Sequence, residues 1–164
     1  HRFYWYSQRR STYRSLMHAT TKHPTNRNDE GSDFSIANTL RSKAPKIAYE
    51  AIARDILGTS FELSVVICAD KLATRINRET RNKTYSPNVL SFPLSKQSGE
   101  IFLNVRKAER EARAQHIPLT TRLTFLYIHG CLHLAGLDHG EAMERKEKAT
   151  MKKYGLSTDP YALN

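Results

Sequence analysis

Residues 123–139 read LTFLYIHGCLHLAGLDH and occupy the centre of the predicted structure. Apolar residues fill almost every position as far as Leu134 and leave no continuous polar face. A surface helix shows one apolar stripe, whereas a helix that is apolar nearly all round is buried. We therefore predict a buried central helix that begins near Pro118 and ends at Gly136.

Two histidines share one face of this predicted helix. His129 and His133 are four residues apart, so their imidazoles leave the helix on the same side, one turn apart. Gly136 lets the chain turn back, and His139 can then supply a third nitrogen. Three protein ligands leave one tetrahedral position for water, which is typical of catalytic zinc. Because burying three imidazoles without a shared partner is costly, the pattern predicts a metal-dependent hydrolase with zinc as its cofactor.

The same histidine spacing occurs in the H-E-x-x-H-x-x-G-x-x-H peptidases, whose Glu is the general base. In this chain that position is Gly130. Peptide hydrolysis by that mechanism is not expected, and the water must be activated by the metal or by a base from elsewhere. Asp138 has two open interpretations: a partner that orients an imidazole, or the N-cap of the following helix.

The flanking sequence predicts elements in the order β-α-β-α-β-β-α-α-α. This order favours an α+β fold, with a small mixed β-sheet packed with about five helices around the buried central helix that carries the metal motif. The expected strands are 34–38, 61–69, 89–92 and 100–104, and Pro93 is expected to end the third.

The predicted helices have recognisable ends. The first is expected to begin at Pro45 and to end at Gly58. A short second helix is capped by Asp70 and carries Leu72, Ala73 and Ile76, and residues 77–87 are expected to form a polar, basic loop. The third carries Val105, Ala108 and Ala112 on its buried side. The last covers residues 141–154, and Gly155 follows it.

Length and charge bound the class of protein. The chain has 164 residues and a net charge of +10, which fits one domain with a basic surface typical of nucleic-acid binders. Residues 1–28 contain six Arg or Lys residues and no acid. We predict that residues 1–32 form a basic, disordered segment and that residues 33–164 form a single domain. Aromatic side chains in this segment could alternatively stack on RNA bases.

The cellular compartment follows from similar reasoning. No stretch approaches the roughly 20 apolar residues of a membrane span, so no membrane association is expected. Cys68 and Cys131 lie in apolar sequence and are expected to be reduced core residues of a cytoplasmic protein. The N-terminal segment is also transit-peptide-like, and an organelle is the alternative compartment. His116, outside the motif, is expected at the surface.

Several segments resemble one known family. Residues 129–139 (HGCLHLAGLDH) resemble the H-G-x-L-H-L-x-G-x-D-H signature of the YbeY family, metal-dependent endoribonucleases of ribosomal RNA maturation. Residues 88–93 (NVLSFP), 77–83 (NRETRNK) and 99–101 (GEI) are similar to its T-[DN]-V-L-S-F-P, N-x-x-x-R-x-K and G-[DE]-I segments. The resemblance covers about residues 35–154. It departs at Thr84, where the family has an acid, and at Pro87, where it has Thr.

The resemblance implies a function and site residues. It implies a single-strand-preferring, metal-dependent endoribonuclease of rRNA processing and ribosome maturation, in which metal-activated water attacks a phosphodiester. Arg81 would be catalytic, facing the metal cleft and holding the scissile phosphate. Ser91 and Asn88 would hydrogen-bond near the cleft.

The cofactor and partners follow from the same resemblance. One Zn²⁺ per chain is expected, although His₃ sites accept other divalent first-row ions. The expected partners are RNA, in particular small-subunit rRNA, and the ribosome or its assembly proteins.

Two other functions stay open on sequence alone. One is a zinc-containing ribosome-assembly factor, which would bind rRNA with a mainly structural metal and show no turnover. The other is a zinc hydrolase of small ester or peptide substrates, although Gly130 disfavours the peptides. Metal-dependent RNA cleavage would separate both from the nuclease.

Overall fold

A computed structural model describes residues 33–156 and gives the elements in the predicted order. Their bounds are β1 Phe34–Asn38, α1 Tyr49–Leu57, β2 Glu62–Cys68, α2 Asp70–Arg81, β3 Val89–Ser95, β4 Ser98–Asn104, α3 Val105–Gln115, α4 Leu119–Leu134 and α5 Glu141–Lys153. The α+β class is therefore confirmed. The predicted basic segment 1–32 and the last residues, 157–164, lie outside the described range.

The four strands form one mixed sheet in the order β1-β2-β4-β3. β1, β2 and β4 run parallel, and β3 pairs antiparallel with β4. Side chains alternate between the two faces of the sheet, so each face has its own apolar cluster. One face packs Val65, Ile67, Ile101 and Leu103 with residues of α4. The other packs Val66, Cys68, Leu90, Phe92 and Phe102 with Ala73 and Ile76 of α2.

The predicted buried central helix is α4. It contacts β3, β4 and the helices α1, α3 and α5, so apolar residues are required on nearly every side. Tyr127 is fully buried, and its hydroxyl donates to the backbone oxygen of Tyr49 in α1 at 2.8 Å. A buried hydroxyl needs such a partner, and this one fixes α1 against α4.

The first helix begins later than predicted, at Tyr49 rather than Pro45. The amide of Tyr49 donates to the oxygen of Ile47 at 2.9 Å, and the Tyr49 hydroxyl donates to the oxygen of Pro45 at 2.8 Å. Ala48, with a φ of −80° and a ψ of 58°, therefore lies at the centre of an inverse γ-turn over residues 47–49, just before the helix. The predicted end is confirmed, since Gly58 follows Leu57 with a φ of 88°.

The strand β3 passes through Pro93 and reaches Ser95, so the prediction that Pro93 ends it was wrong. β3 is an edge strand, where a missing N–H can be tolerated. The Asn104 amide donates to the Asn88 oxygen at 2.9 Å, so these two residues form a hydrogen-bonded pair. Along β3 and β4, hydrogen-bonded and non-hydrogen-bonded residue pairs then alternate. Pro93 falls on a non-bonded pair with Gly99, so its nitrogen faces the open edge and breaks no ladder bond.

The second helix is longer than predicted and is not capped by Asp70. α2 continues through Asn77 to Arg81 and ends at Asn82, whose φ is 56°. Asp70 is the first helical residue, after an extended Ala69. Only residues 82–87 of the predicted loop are therefore loop.

Three smaller predictions have clear outcomes. No helix within residues 33–156 is long and apolar enough to cross a membrane. Cys68 and Cys131 are both free and buried. Burial raises the pKa of Cys68 to about 12, so its thiol stays protonated and unreactive. His116 is exposed at the C-terminal end of α3, as predicted.

Candidate metal centre and cleft

An open cleft of about 530 Å³ lies along the edge strand β3, between the C-terminal ends of α2 and α4. It is lined by Arg81, Asn88, Val89, Ser91, Phe92, Pro93, His129, His133, Leu134, Asp138 and His139. All seven site residues predicted from the sequence are in this set. We name residues 129–139 the histidine wall and residues 81–88 the loop wall, with β3 between them as the floor.

The three predicted metal ligands form one cluster. Each of His129, His133 and His139 offers a ring nitrogen, and these atoms all lie within 4.8 Å of one another. The Nε2 atoms of His129 and His133 are 3.0 Å apart. The ring of His139 has its centroid 5.1 Å from that of His129 and 4.7 Å from that of His133. Three imidazoles are thus positioned to hold one metal ion.

The other ring nitrogens explain why a cation fits. His133 Nδ1 is 3.0 Å from the oxygen of Leu137, which only accepts, so this nitrogen must carry a proton. His129 Nδ1 is 2.7 Å from Glu147 Oε1 and donates to that carboxylate in the same way. In the neutral form of both rings, the two Nε2 atoms then present lone pairs to each other. Their repulsion is relieved when a cation lies between them.

The turn after α4 sets the geometry of the cluster. Gly136 has a φ of 96°, its amide donates to the oxygen of His133 at 3.0 Å, and the amide of Leu137 donates to the oxygen of Leu132 at 3.1 Å. This is a Schellman ending, and it confirms the predicted stop at Gly136. The same turn brings the Leu137 oxygen to the His133 ring and folds His139 back toward the helix.

Gly130 and Ser91 define how closely α4 approaches the sheet. A Cβ atom at position 130 would lie 2.9 Å from Ser91 Oγ and 3.3 Å from both Ile101 Cδ1 and Val89 Cγ2. The Ser91 hydroxyl donates to the Gly130 oxygen at 3.1 Å. A glutamate at this position, as in the H-E-x-x-H peptidases, would require these three side chains to shift. Ser91 therefore joins β3, the floor of the cleft, to α4.

The partner of His129 was not foreseen. Glu147 on α5 is 1% exposed and lies 18 residues from the histidine that it contacts. A carboxylate that accepts from a ligating imidazole fixes its tautomer and raises its basicity. A signal was present in the sequence: Met143, Glu147 and Met151 are four residues apart and all buried, so an acid interrupts an apolar helix face.

Asp138 is exposed and lines the cleft. The interpretation of Asp138 as an N-cap is wrong, because α5 begins at Glu141 and its N-cap position is Gly140. Its role as an imidazole partner stays a prediction. The Nδ1 atoms of His129 and His133 contact Glu147 and the Leu137 oxygen instead.

Arg81 enters the cleft from the other side. It is the last residue of α2, its side chain is exposed, and its guanidinium carbon lies 5.6 Å from the centre of the Phe92 ring. The ring face attracts the cation and limits its orientations. Asn88 closes the loop wall, and its amide donates to the carboxylate of Glu111 on α3 at 3.0 Å.

A polar network holds the loop wall in place. Asp70 Oδ1 accepts from Ser86 Oγ at 2.5 Å and from Asn104 Nδ2 at 3.0 Å, and both its oxygens accept from Arg110 at 2.8 Å. The Arg110 guanidinium, helped by the other two donors, holds the pKa of Asp70 well below its usual range. Asn104 also donates to the Pro87 oxygen at 3.0 Å. The loop therefore has a defined path.

Comparisons with known proteins agree with this geometry. A family profile described as Endoribonuclease YbeY matches residues 26–156. The Endoribonuclease YbeY of Acidovorax sp. (strain JS42) is 33% identical over 135 residues, covering 77% of this chain and 88% of the relative. That of Methylobacillus flagellatus is 36% identical over 118 residues, covering 67% and 78%.

A solved structure is also similar. The solution structure of TM1509 from Thermotoga maritima has a TM-score of 0.51 and 27% identity, covering 64% of this chain and 75% of that one. The family match covers most of the chain, and the histidine cluster and the cleft both lie within the matched residues. The chain therefore belongs to the YbeY endoribonuclease family, a family of nuclease hydrolases.

Proposed function

We propose that this chain is a metal-dependent endoribonuclease that prefers single-stranded RNA and acts in rRNA processing and ribosome maturation. The observation that carries the proposal is one open cleft with three clustered imidazoles on one wall and Arg81 on the other. Membership of an endoribonuclease family supports RNA cleavage. The net charge of +10 supports a polyanionic substrate, because basic surfaces bind phosphate backbones with little sequence preference.

The proposed cofactor is one Zn²⁺, held by His129, His133 and His139. When bound, such an ion polarises a phosphoryl oxygen and lowers the pKa of a coordinated water toward neutrality. Imidazole nitrogens also suit other first-row ions, so metal replacement is part of the test. The protein's own contribution is to hold two rings in the Nδ1–H form, through Glu147 and the Leu137 oxygen.

Arg81 is the proposed phosphate-binding residue of the cleft. Its planar guanidinium can donate two parallel hydrogen bonds to phosphate oxygens. Contact with Phe92 on the floor limits the number of positions that the side chain adopts. A cation fixed before the reaction stabilises the charge that develops on the phosphate. The proposed partners are small-subunit rRNA and the ribosome or its assembly proteins, and the proposed compartment is the cytoplasm.

The test measures metal content and cleavage on the same preparations. Wild type, His133→Ala and His116→Ala are purified without a histidine tag, assayed for bound metal, and incubated with single-stranded rRNA fragments with and without chelator. His116 is an exposed histidine immediately after α3 and serves as the matched control. We expect about one metal ion per chain in wild type and His116→Ala. We expect cleavage to be abolished by chelation and by His133→Ala.

Other outcomes would identify the two competing functions. Bound metal without cleavage of any RNA would favour the ribosome-assembly factor with a structural metal. Turnover of small esters without RNA cleavage would favour the zinc hydrolase. Cleavage that survives both chelation and His133→Ala would contradict the proposed metal dependence.

A further inference from the structure

One exposed aromatic side chain is not explained by the fold. Tyr85 is 59% exposed, and within residues 33–156 the other large exposed apolar side chain is Ile36, at 41%, on the opposite edge of the sheet. Tyr85 lies in the loop wall, three residues before Asn88 and four after Arg81, both of which line the cleft. Three residues of chain span at most about 11 Å. The backbone of Tyr85 therefore lies within about 11 Å of Asn88, a residue of the cleft, and the ring stands outside the cleft lining.

The backbone that carries Tyr85 is held firmly. The Asn77 side chain is fully buried, and its Nδ2 donates to the Tyr85 oxygen at 3.1 Å. The Lys83 amide donates to the Asn77 oxygen at 3.3 Å, which closes the loop against the end of α2. On the other side, the Ser86 hydroxyl donates to Asp70 at 2.5 Å. A side chain on a fixed backbone loses less entropy when it binds a partner.

The segment of chain that precedes Tyr85 is rich in basic residues. Arg78, Arg81 and Lys83 are all exposed and lie within seven residues of the ring along the chain. An aromatic ring among cations is the combination that binds single-stranded nucleic acid: bases stack on the ring, and phosphates meet the charges.

We propose that Tyr85 is a stacking platform for an unpaired RNA base adjacent to the phosphate held by Arg81. This inference rests on the proposed function and specifies how that site selects its substrate. Every base has a π face, so stacking tolerates any sequence. A base inside a duplex cannot present its face, so the platform gives a physical cause for single-strand preference.

If the Tyr85 ring had a structural role, its removal would lower the stability of the protein, and we expect no such loss. With most of its surface exposed, the Tyr85 side chain fills no core position. The Tyr85→Ala variant should fold with wild-type stability, since surface substitutions away from special features usually change stability little. Its loss should appear in RNA binding instead.

The experiment compares Tyr85→Ala, Tyr85→Phe and the control Ile36→Ala with wild type. Equilibrium dissociation constants are measured for a single-stranded RNA and for an oligonucleotide of equal length with abasic sites throughout. Initial rates give kcat and KM. We expect Tyr85→Ala to bind the RNA about tenfold more weakly, with a raised KM. Tyr85→Phe and Ile36→Ala should match wild type.

The abasic oligonucleotide separates stacking from other contacts. Wild type and Tyr85→Ala should bind it equally, because no base is present to stack. A second readout uses Tyr85→Trp in a Trp5→Phe background, which makes residue 85 the single tryptophan in the chain. Its fluorescence should change on RNA binding and stay constant with the abasic strand.

Each result bears on one claim. Equal RNA binding by wild type and Tyr85→Ala would overturn the platform, as would an equal loss for the abasic strand. Absence of RNA binding by wild type would overturn both the platform and the proposed function. If wild type binds RNA without cleaving it and Tyr85→Ala loses that binding, the platform stands and the nuclease function fails.

Discussion

The two walls of the cleft are built by different physics. In the histidine wall, two of the three imidazoles project from a helix buried on nearly every side, and Glu147 and the Leu137 oxygen hold those two rings. In the loop wall, exposed side chains stand on a short segment held by hydrogen bonds from Asn77 and to Asp70. Apolar packing thus fixes one wall, and polar contacts to backbone and side chains fix the other.

This difference suggests a division of tasks. A metal site needs ligand atoms held within fractions of an ångström, and a packed helix provides this. A polymer substrate needs donors and aromatic surface that water and RNA can reach, and a surface loop provides these. Changes in the histidine wall should therefore affect metal binding, and changes in the loop wall should affect RNA binding and cleavage.

Replacing Arg81 should give the largest effect on catalysis. We expect Arg81→Ala to slow RNA cleavage about 10²- to 10³-fold, the usual result of removing one preorganised donor to a developing charge. Metal content should be unchanged, because Arg81 lies on the loop wall. Arg113→Ala, an exposed arginine at the end of α3, is the matched control. Wild-type rates in Arg81→Ala would show that this guanidinium does not contact the scissile phosphate.

Replacing Glu147 should affect the metal instead. Glu147→Gln keeps the size of the side chain but removes the charge that accepts from His129 Nδ1, and we expect metal affinity to fall about 10- to 100-fold. Competition with a chelating dye measures this without any RNA. Glu144→Gln, exposed on the same helix, should bind metal like wild type. Unchanged affinity in Glu147→Gln would mean that the carboxylate does not tune the imidazole.

Adding a side chain at position 130 should destabilise the packing of α4 against the sheet. We expect Gly130→Val to lower the free energy of unfolding by about 1–3 kcal/mol, because the added carbons meet Ser91, Val89 and Ile101. Urea denaturation measures it, with Ala142→Val on the exposed face of α5 as the control for valine in a helix. If the two variants are equally stable, the contact between α4 and β3 is looser than the structure shows.

The pH dependence of stability should report the ionisation of the Glu100 carboxyl. Glu100 is paired with Phe92 in the sheet, and the Arg81 guanidinium lies over the Phe92 ring. Burial raises the pKa of Glu100 to about 8. In the unfolded chain the carboxyl ionises near its ordinary pKa of about 4.3, so the folded state binds the extra proton between these values. Stability must then fall as pH rises, by at most about 1.4 kcal/mol per pH unit from this group.

The matching substitution is Glu100→Gln, which should remove that slope. Urea denaturation at pH 5 and pH 8 should show wild type losing more stability than Glu100→Gln between the two conditions. Glu62→Gln, exposed on β2, should keep the wild-type slope. Equal slopes for wild type and Glu100→Gln would mean that the Glu100 carboxyl ionises near its ordinary pKa in the folded protein.

The histidine wall could be predicted because its information is local. His129 and His133 lie on one helix, and Gly136 and His139 follow within one turn and a short loop. The order of elements was equally accessible, because each strand and helix shows its own periodicity. The proposed role of Arg81, by contrast, came from the family resemblance and not from the pattern around it.

The remaining features depend on contacts distant in sequence. Glu147 contacts His129 only after α5 has packed against α4. β3 can continue through Pro93 because it is an edge strand of the sheet, and no local sequence pattern indicates that position. α2 extends to Arg81 because its buried polar residue, Asn77, finds a partner in the Tyr85 backbone, and sequence reasoning interpreted that polarity as loop.

The contact between Gly130 and Ser91 also limits what this scaffold can become. A protein engineer seeking peptidase activity would begin by restoring the glutamate of the H-E-x-x-H pattern, a change of one residue. The first obstacle would be the distance between α4 and β3, not the chemistry of the metal. Evolution meets the same obstacle, because the side chains of Ser91, Val89 and Ile101 must shift before the new side chain can be accommodated. Neighbouring activities that are one substitution away in sequence are therefore separated by a repacking of the contact between α4 and the sheet.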